Sequence, residues 1–478
     1  MTMQTPHSDS DFTRLRQFRQ QVYPLLGARR DVLFELMDAV MQTPNARSFA
    51  ELSLAPACRR KWPSLYKALH LPETSLPDQA AKEVIEGTRA PTAKELVQVL
   101  CIEQVPTDKV AQIAIDVTGL RRMRSPTLKE RRYCHGAARE VGGRGVIVGL
   151  PYSIAAWIPE RGRSFAPTLH FHRLRPDETA VEAAVAQVCY LGYELPSGLD
   201  WRAAFDGAYG NQKFFVPLHD KAVQVVARTR NDRVLYRPAD PATYPGQGRH
   251  AVFGAAFRCR DETTWGPPDE VLTLTDPWHG AVELQLWRNL SQRGTGQFVG
   301  VEVIRSRIHL EAQQPPPPRW YLAHNGRPED QLGLADWYET IAHRWGIEPA
   351  HRFRKERLYA ELPKVQTAGR SDHWQLLLQV IEWMLYFARL AVTQKVLPWQ
   401  KPQPPEKITP NRVIASLAEH LSEVGTPAQA PLPRGKAPGW PTGRQRTRPE
   451  RYQLVPKTPK KTTQVSKNEG ASARKLKI

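Results

Sequence analysis

At 478 residues the chain has room for two to four domains, and its 41% hydrophobic residues supply a core, which excludes a wholly disordered protein. A net charge of +19, from 67 Lys+Arg against 48 Asp+Glu, points to a polyanionic partner and favours nucleic acid. The five cysteines form no CxxC or Cys/His cluster, against a zinc module or disulfide framework; the opening MTMQTPHSDSDF predicts no secretory leader; and the most apolar stretch, 374–392, is interrupted by Gln375, Gln379, Glu382 and Arg389 and predicts a buried amphipathic helix, not a membrane span.

Residues 12–110 predict helices. Apolar residues recur at helical spacing from Phe12 to Gln42, and Thr92 with Glu95 three residues on has the pattern of a helix N-terminus. Basic residues such as Arg59-Arg60-Lys61 punctuate this region, so 1–109 is assigned as a helical region that either docks on the rest or binds DNA ends. From about 110 the apolar period becomes that of strands: Val110 to Val117, 145–150, 154–158 and 168–173. A helix over 177–195, capped near Asp177 or Thr179, and a strand from Trp201 to Asp206 follow. This order opens an RNase H-like α/β fold, assigned to 110–221. Short strands with turns between them over 222–314 predict a separate β-rich insertion. Trp320 to Ala323 predicts one further strand, and helices resume near Ala335, so 315–400 is the second part of the core. Residues 401–478 are linker and tail. From Arg434 onward 13 Lys/Arg stand against 2 Glu in 45 residues with few apolar side chains, and this segment is expected to be disordered.

Cutting and joining DNA strands requires an activated oxygen nucleophile and neutralisation of the charge that builds on the phosphate and leaving oxygen. Two divalent ions roughly 3.5–4 Å apart do both. Hard ions such as Mg²⁺ take oxygen ligands, so carboxylates from separate elements are the expected donors. Asp116 stands at the end of one apolar strand, and Asp206 ends another, before the flexible turn Gly207-Ala208-Tyr209-Gly210-Asn211. Far downstream come Arg344, Glu348 and Lys355. On a continuous helix these three fall within about 40° of one face. An acid flanked by two bases suits a metal-bound phosphate with cations beside it; it equally suits an exposed, salt-bridged helix face.

The spacing R-x3-E-x6-K, downstream of these two aspartates and with Asp206 in a D-x2-Y-x-N setting, resembles insertion-sequence transposases of the YREK group, whose signature is Y-x2-R-x3-E-x6-K. The resemblance extends over about 110–450 and includes Gly149-Leu-Pro-Tyr-Ser, Arg175-Pro-Asp-Glu-Thr-Ala-Val-Glu, the stretch from Arg228 to Pro238, and Gly425-Thr-Pro-Ala. It implies an RNase H-like catalytic core interrupted by a β insertion domain. Asp116, Asp206 and Glu348 would be its catalytic, metal-binding carboxylates, with Mg²⁺ as cofactor and Mn²⁺ as substitute. Arg344 and Lys355 would contact phosphate. The implied partner is double-stranded DNA, both element ends and target, bound by a homodimer in the cytoplasm at the nucleoid, with no membrane. Two departures stand out. The signature Tyr falls at Ile341. Pro349 has no N–H for the carbonyl of Trp345, so the helix is expected to kink or restart there, and Gly346 supports a break.

Arg228 and Arg230 share a strand face and, with Arg233, are further candidates for DNA contact or simply solvated strand residues. Trp265, Trp278 and Trp287 read chiefly as packing, with stacking on a base as the alternative. His170 and His172 alternate on one strand as zinc ligands do, but lack a third partner. The sequence therefore reads as a metal-dependent DNA transposase. The rivals are a catalytically impaired, transposase-derived DNA-binding protein and a non-enzymatic polyanion-binding scaffold.

Overall fold

The computed structural model describes residues 12–70, 91–136, 145–243, 246–294, 296–309, 316–326, 331–404, 407–433, 439, 441–445 and 447–455. Its centre is a mixed sheet whose first strands are β1 (Ala111–Arg121), β2 (Arg132–His135), β3 (Val146–Trp157), β4 (Thr168–Arg173), β5 (Trp201–Phe205) and β6 (Gln224–Thr229). β3 runs antiparallel to β1, and β5 and β6 run parallel to it in the order β3-β1-β5-β6. The antiparallel-then-parallel arrangement fits the expected RNase H-like core.

Three expectations about this core change. Asp116 does not end its strand: β1 continues to Arg121 because Val117 to Leu120 still pair with Leu150 to Ser153. The two strands expected at 145–150 and 154–158 are the single strand β3. Its outer side is shared, with β2 pairing at 146–149 and β4 at 152–156. Pro151 sits at the handover, and its carbonyl accepts from Leu174 N–H on that side, so its missing N–H interrupts no ladder. Short, polar β2 was not expected.

The β region is not separate either. β7 (Val234–Pro238) and β8 (Phe253–Arg258) form a small sheet of their own, but β9 (Glu270–Asp276), β10 (Gly280–Leu290), β11 (Val301–His309) and β12 (Arg319–His324) prolong the main one. β12 pairs antiparallel with β6, Ala323 opposite Val226, and covers an edge that would otherwise present unpaired backbone groups.

The longer helices are α1 (Thr13–Leu25), α2 (Arg30–Gln42), α3 (Ala93–Ile102), α4 (Ala180–Glu194), α5 (Leu334–His343), α6 (Ile347–Glu356), α7 (Ala368–Ala388) and α8 (Pro410–Val424). α3 and α4 each start in a capping box, Thr92 with Glu95 and Thr179 with Glu182. α1, α2, α3, α7 and α8 contribute to one apolar core that includes residues of β1, β3, β4 and β5. α7 is not amphipathic as expected but buried on every side. Several of its polar groups find partners there: Gln379 Nε2 donates to Thr168 O (3.1 Å) and Leu169 O (2.7 Å), and Glu382 accepts from Arg354 Nη1 (2.7 Å). Among the described residues no helix is long and apolar enough to cross a membrane.

Three arginines of the N-terminal region grip the chain just after α8. Arg19, itself paired with Asp38, donates to Gly425 O (2.9 Å), Arg59 to Ala428 O (2.9 Å) and Arg60 to Gln429 O (2.9 Å). Arg59 and Arg60 also close on the buried Glu35, so much of the basic run at 59–61 is structural. The basic tail is not wholly free of the fold: Tyr452 N–H donates to Pro126 O (2.9 Å) and Val455 N–H to Arg131 O (2.8 Å), setting Val455 parallel to Arg132 at the outer edge of β2.

Candidate active site

β1 and β5 lie side by side, with Ala114 paired to Ala204. Continuing that parallel register by two residues sets Asp116 level with Asp206. Asp116 Oδ1 accepts from Val117 N–H (2.8 Å), and Asp206 Oδ1 accepts from Ala208 N–H (2.8 Å) as the chain turns away. Burial, with the Asp206 carboxylate next in effect and Glu348 also repelling, raises the Asp116 pKa to about 6, against the pull of Val117 N–H and Arg344. Tyr209 lies beside the pair. Burial and the two carboxylates push its hydroxyl above the ordinary tyrosine range.

Glu348 arrives on α6. α5 ends at His343, Arg344–Gly346 form a 3₁₀ turn, and α6 begins at Ile347, so the expected restart is present. Pro349 falls in the first turn of α6, where a missing N–H costs little. Gly346 is required by a close approach: a Cβ there would meet Ile158 Cγ2 at 2.8 Å. Ile158, Ala114, Ala156, Ala166 and Ile347 form a small apolar cluster that seats α6 on β1 two residues before Asp116.

Glu348 Oε1 accepts from Arg344 Nη2 at 2.7 Å. Among the described residues no three of His, Cys, Asp and Glu form a group that could hold a metal ion. The structure thus brings Asp116 and Asp206 together, with Glu348 within electrostatic reach but turned onto Arg344. Carboxylates gathered near one another need compensating positive charge, and Arg344 supplies it to Glu348. The donors present are hard oxygens on adjacent strands. They fit a divalent cation in type, with Asp116 and Asp206 as the pair that would hold it.

Lys355 lies on the inward side of α6. Burial lowers its pKa, opposed by Glu361 and Asp116. His351, one turn after Glu348, is neutral at physiological pH: burial, then Lys355 and Arg354, lower it to about 3.

A cavity of about 530 Å³ opens from Ala204 and Phe205, next to Asp206, toward β6, β12 and β11 beneath α5. Arg161, Arg228, Arg319 and Arg344 line it together with Trp278, Tyr321, Tyr338 and Trp345, and among the described residues no carboxylate does. Ile341 lines it too, packed against the apolar cluster under α5. Arg161 stacks over Trp278, and Asp276, which also accepts from Tyr338 (2.8 Å), pairs with Arg161. Arg230 lies past the end of β6, paired with Asp232, and does not line the cavity. Trp265 and Trp287 pack with Phe257 and Trp320 in the core, while Trp278 is exposed. His172 is held by Glu178 (2.8 Å) and His170 by Gln187 (3.0 Å), so they do not share a site. Arg161, Arg319, Tyr321 and Tyr209 were not singled out in the sequence. Only the D-x2-Y-x-N spacing touches one of them.

The large mixed sheet with helices packed on it fits an RNase H-like DDE fold. Residues 21–294 match the family described as DDE superfamily endonuclease. The match covers more than half of the chain, and the protein belongs to that family. Glu348 lies beyond the matched span. No curated protein matches the chain.

Proposed function

We propose that this protein is a DNA transposase that cuts the ends of an insertion sequence and joins them to target DNA. The observation that carries this reading is the Asp116–Asp206 pair on adjacent parallel strands, set beside a cavity that is lined by arginines and, among the described residues, by no acid. Asp116 and Asp206 would hold a divalent cation, Mg²⁺ or Mn²⁺, with Glu348 as the third carboxylate, and Arg344, now paired with Glu348, would bind a DNA phosphate. The bound cation supplies activation of the attacking oxygen and offsets charge on the phosphate. Arg344, Arg228 and Lys355 bind the backbone on either side of the carboxylates. Ile341 supplies no hydroxyl, so phosphate contact on that turn falls to Arg344 alone. Trp278, exposed on the cavity rim, is placed to stack on a base.

The test uses a duplex bearing the terminal inverted repeat that flanks the gene, incubated with Mg²⁺ or Mn²⁺ and with chelator. Asp206→Asn keeps size and hydrogen bonding but removes the charge. Strand cleavage is expected to fall by at least about two orders of magnitude, in the range that loss of one charge-stabilising group costs, with duplex affinity within about threefold of the parent. A variant that nicks at the parental rate would show that Asp206 holds no catalytic cation. Cleavage that persists in chelator would remove the metal from the reading.

A further inference from the structure

Strand pairing sets a row of side chains across the sheet, beginning at the carboxylates. Phe205 on β5 pairs with Ala227 on β6, so one residue further along this parallel register Asp206 stands level with Arg228. Arg228 is in turn opposite Tyr321 on β12. Residues level with one another on neighbouring strands point to the same face. That face carries α5: Ala204, Val226 and Ala323, each two residues from a member of the row, pack in one apolar cluster with Trp337 and Tyr338 of that helix. The row therefore runs from Asp116 and Asp206 through Arg228 to Tyr321, and its last two members line the arginine-bearing cavity. Two strand spacings, about 10 Å, separate the backbone of Tyr321 from that of Asp206.

Tyr321 is buried, yet its side chain reaches the cavity wall. Burial pushes its hydroxyl above the ordinary tyrosine range, against the pull of Arg319 and Arg228 and, more weakly, of Arg344. A tyrosine hydroxyl that keeps its proton both donates and accepts, whereas guanidinium groups only donate. The arginines around this hydroxyl can satisfy its oxygen but offer its proton no acceptor. A phosphate oxygen entering the cavity would supply that acceptor and meet the arginine charge as well. From α5, Ile341 lines the same cavity and packs against the same cluster. It stands where the transposases that this chain resembles carry their signature tyrosine.

We infer that Tyr321, with Arg228 and Arg319, forms a phosphate site in the cavity, and that its hydroxyl, coming from β12, takes the place of the one absent at Ile341. The ligand is a backbone phosphodiester of DNA close to the cleaved one, since about 10 Å equals about three steps of 3.4 Å along a strand. Arg228 and Arg319 neutralise its charge, and Tyr321 donates to one of its oxygens. The inference rests on the transposase reading and names the group that is bound beside the carboxylates.

The experiment measures binding in chelator and cleavage with Mg²⁺ on the repeat-bearing duplex. It adds a set of duplexes that each carry one methylphosphonate, which removes a backbone charge and one acceptor oxygen, within about five nucleotides of the cut, a range set by the 3.4 Å step. The forms are the parent, Tyr321→Phe and Tyr321→Phe/Ile341→Tyr. Phenylalanine keeps the packing of the ring and loses only the hydroxyl, so the thermal midpoint should not move. Tyr321→Phe is expected to bind the unmodified duplex about tenfold more weakly, on the order of what one hydrogen bond to a charged group contributes. One methylphosphonate position should weaken the parent by a similar factor and add little to the loss in Tyr321→Phe, while at other positions the two losses multiply. The double variant returns a hydroxyl to the same cavity from α5 and should recover most of the affinity and cleavage. A Tyr321→Phe protein that binds and cuts like the parent, or losses that multiply at every position, would overturn the phosphate site and leave the transposase reading intact. A double variant no better than Tyr321→Phe would overturn the replacement of Ile341. Failure of the parent to bind or cut the repeat-bearing duplex would overturn both readings.

Discussion

At the residue scale the informative group is Asp116. Its carboxyl titrates near 6 in the folded chain and near 3.8 when exposed, so between those values the folded state binds the extra proton. Without divalent ions, stability therefore falls as pH rises from about 4 through about 6, and the loss is complete above that. Two pKa units correspond to about 3 kcal/mol at most, reduced by the partial exposure of the group. Asp116→Asn should melt higher than the parent at pH 7.5 in chelator, and the gap should narrow as pH falls through about 6 and close only below about 3.8. A parent no less stable than the variant at pH 7.5 would show that the carboxylates do not strain the fold. Part of this was legible in the sequence. An acid after an apolar run and a second before a flexible turn marked the two positions, because strand periodicity is local. That β1 runs five residues past Asp116 was not, since its continuation depends on pairing with a strand about thirty residues away. The Arg344–Glu348 pair was legible as the i,i+4 salt bridge that the spacing allows. The cavity was not, because its wall is gathered from strands, turns and helix ends scattered between Arg161 and Trp345.

Among elements, α6 matters most, since it carries Glu348 and Lys355. It is seated at two points. Gly346→Ala would drive a Cβ into Ile158, a buried β-branched side chain that cannot swing aside, and overpacking of this kind costs about 1–3 kcal/mol. Cleavage should fall more than stability alone predicts, because α6 shifts relative to β1. Adding Ile158→Ala removes the clashing Cγ2, so the double variant should be less impaired than the sum of the singles; strict additivity would mean that the contact does not position the helix. The second seat is Arg354, buried, which donates to Glu382, Thr168 Oγ1 (3.0 Å) and Gln375 O (2.7 Å) and so ties α6 to α7 and β4. Arg354→Met strands Glu382 in the core and should cost about 3–5 kcal/mol. Chemical denaturation measures it, and a cost below about 1 kcal/mol would show the network to be dispensable. Sequence reading took α7 for a buried amphipathic helix because Gln375, Gln379 and Glu382 interrupt its apolar run. Their partners lie on β4 and α6, far away in the chain.

For the whole molecule, the apolar core does not respect the boundary expected near 110. Phe18, Leu33, Phe34, Met37 and Val40 are all but inaccessible and pack in the cluster that includes α7 and α8. Each such side chain contributes roughly 1.5–3 kcal/mol, together comparable to the 5–15 kcal/mol that holds an ordinary domain folded. A chain starting at residue 110 is therefore expected to be insoluble or to lose its sharp thermal transition, while the full chain melts in one step. A soluble, cooperatively melting fragment would restore the N-terminal region to independence. The grip of Arg19, Arg59 and Arg60 on residues 425–429 carries this into the order of synthesis. Helices α1 and α2 and the turn after them are completed by a segment 369 to 406 residues further along the chain. Domains that fold as they leave the ribosome do so from the N-terminus onward; here α1 and α2 must wait for residues 425–429 before their packing is complete.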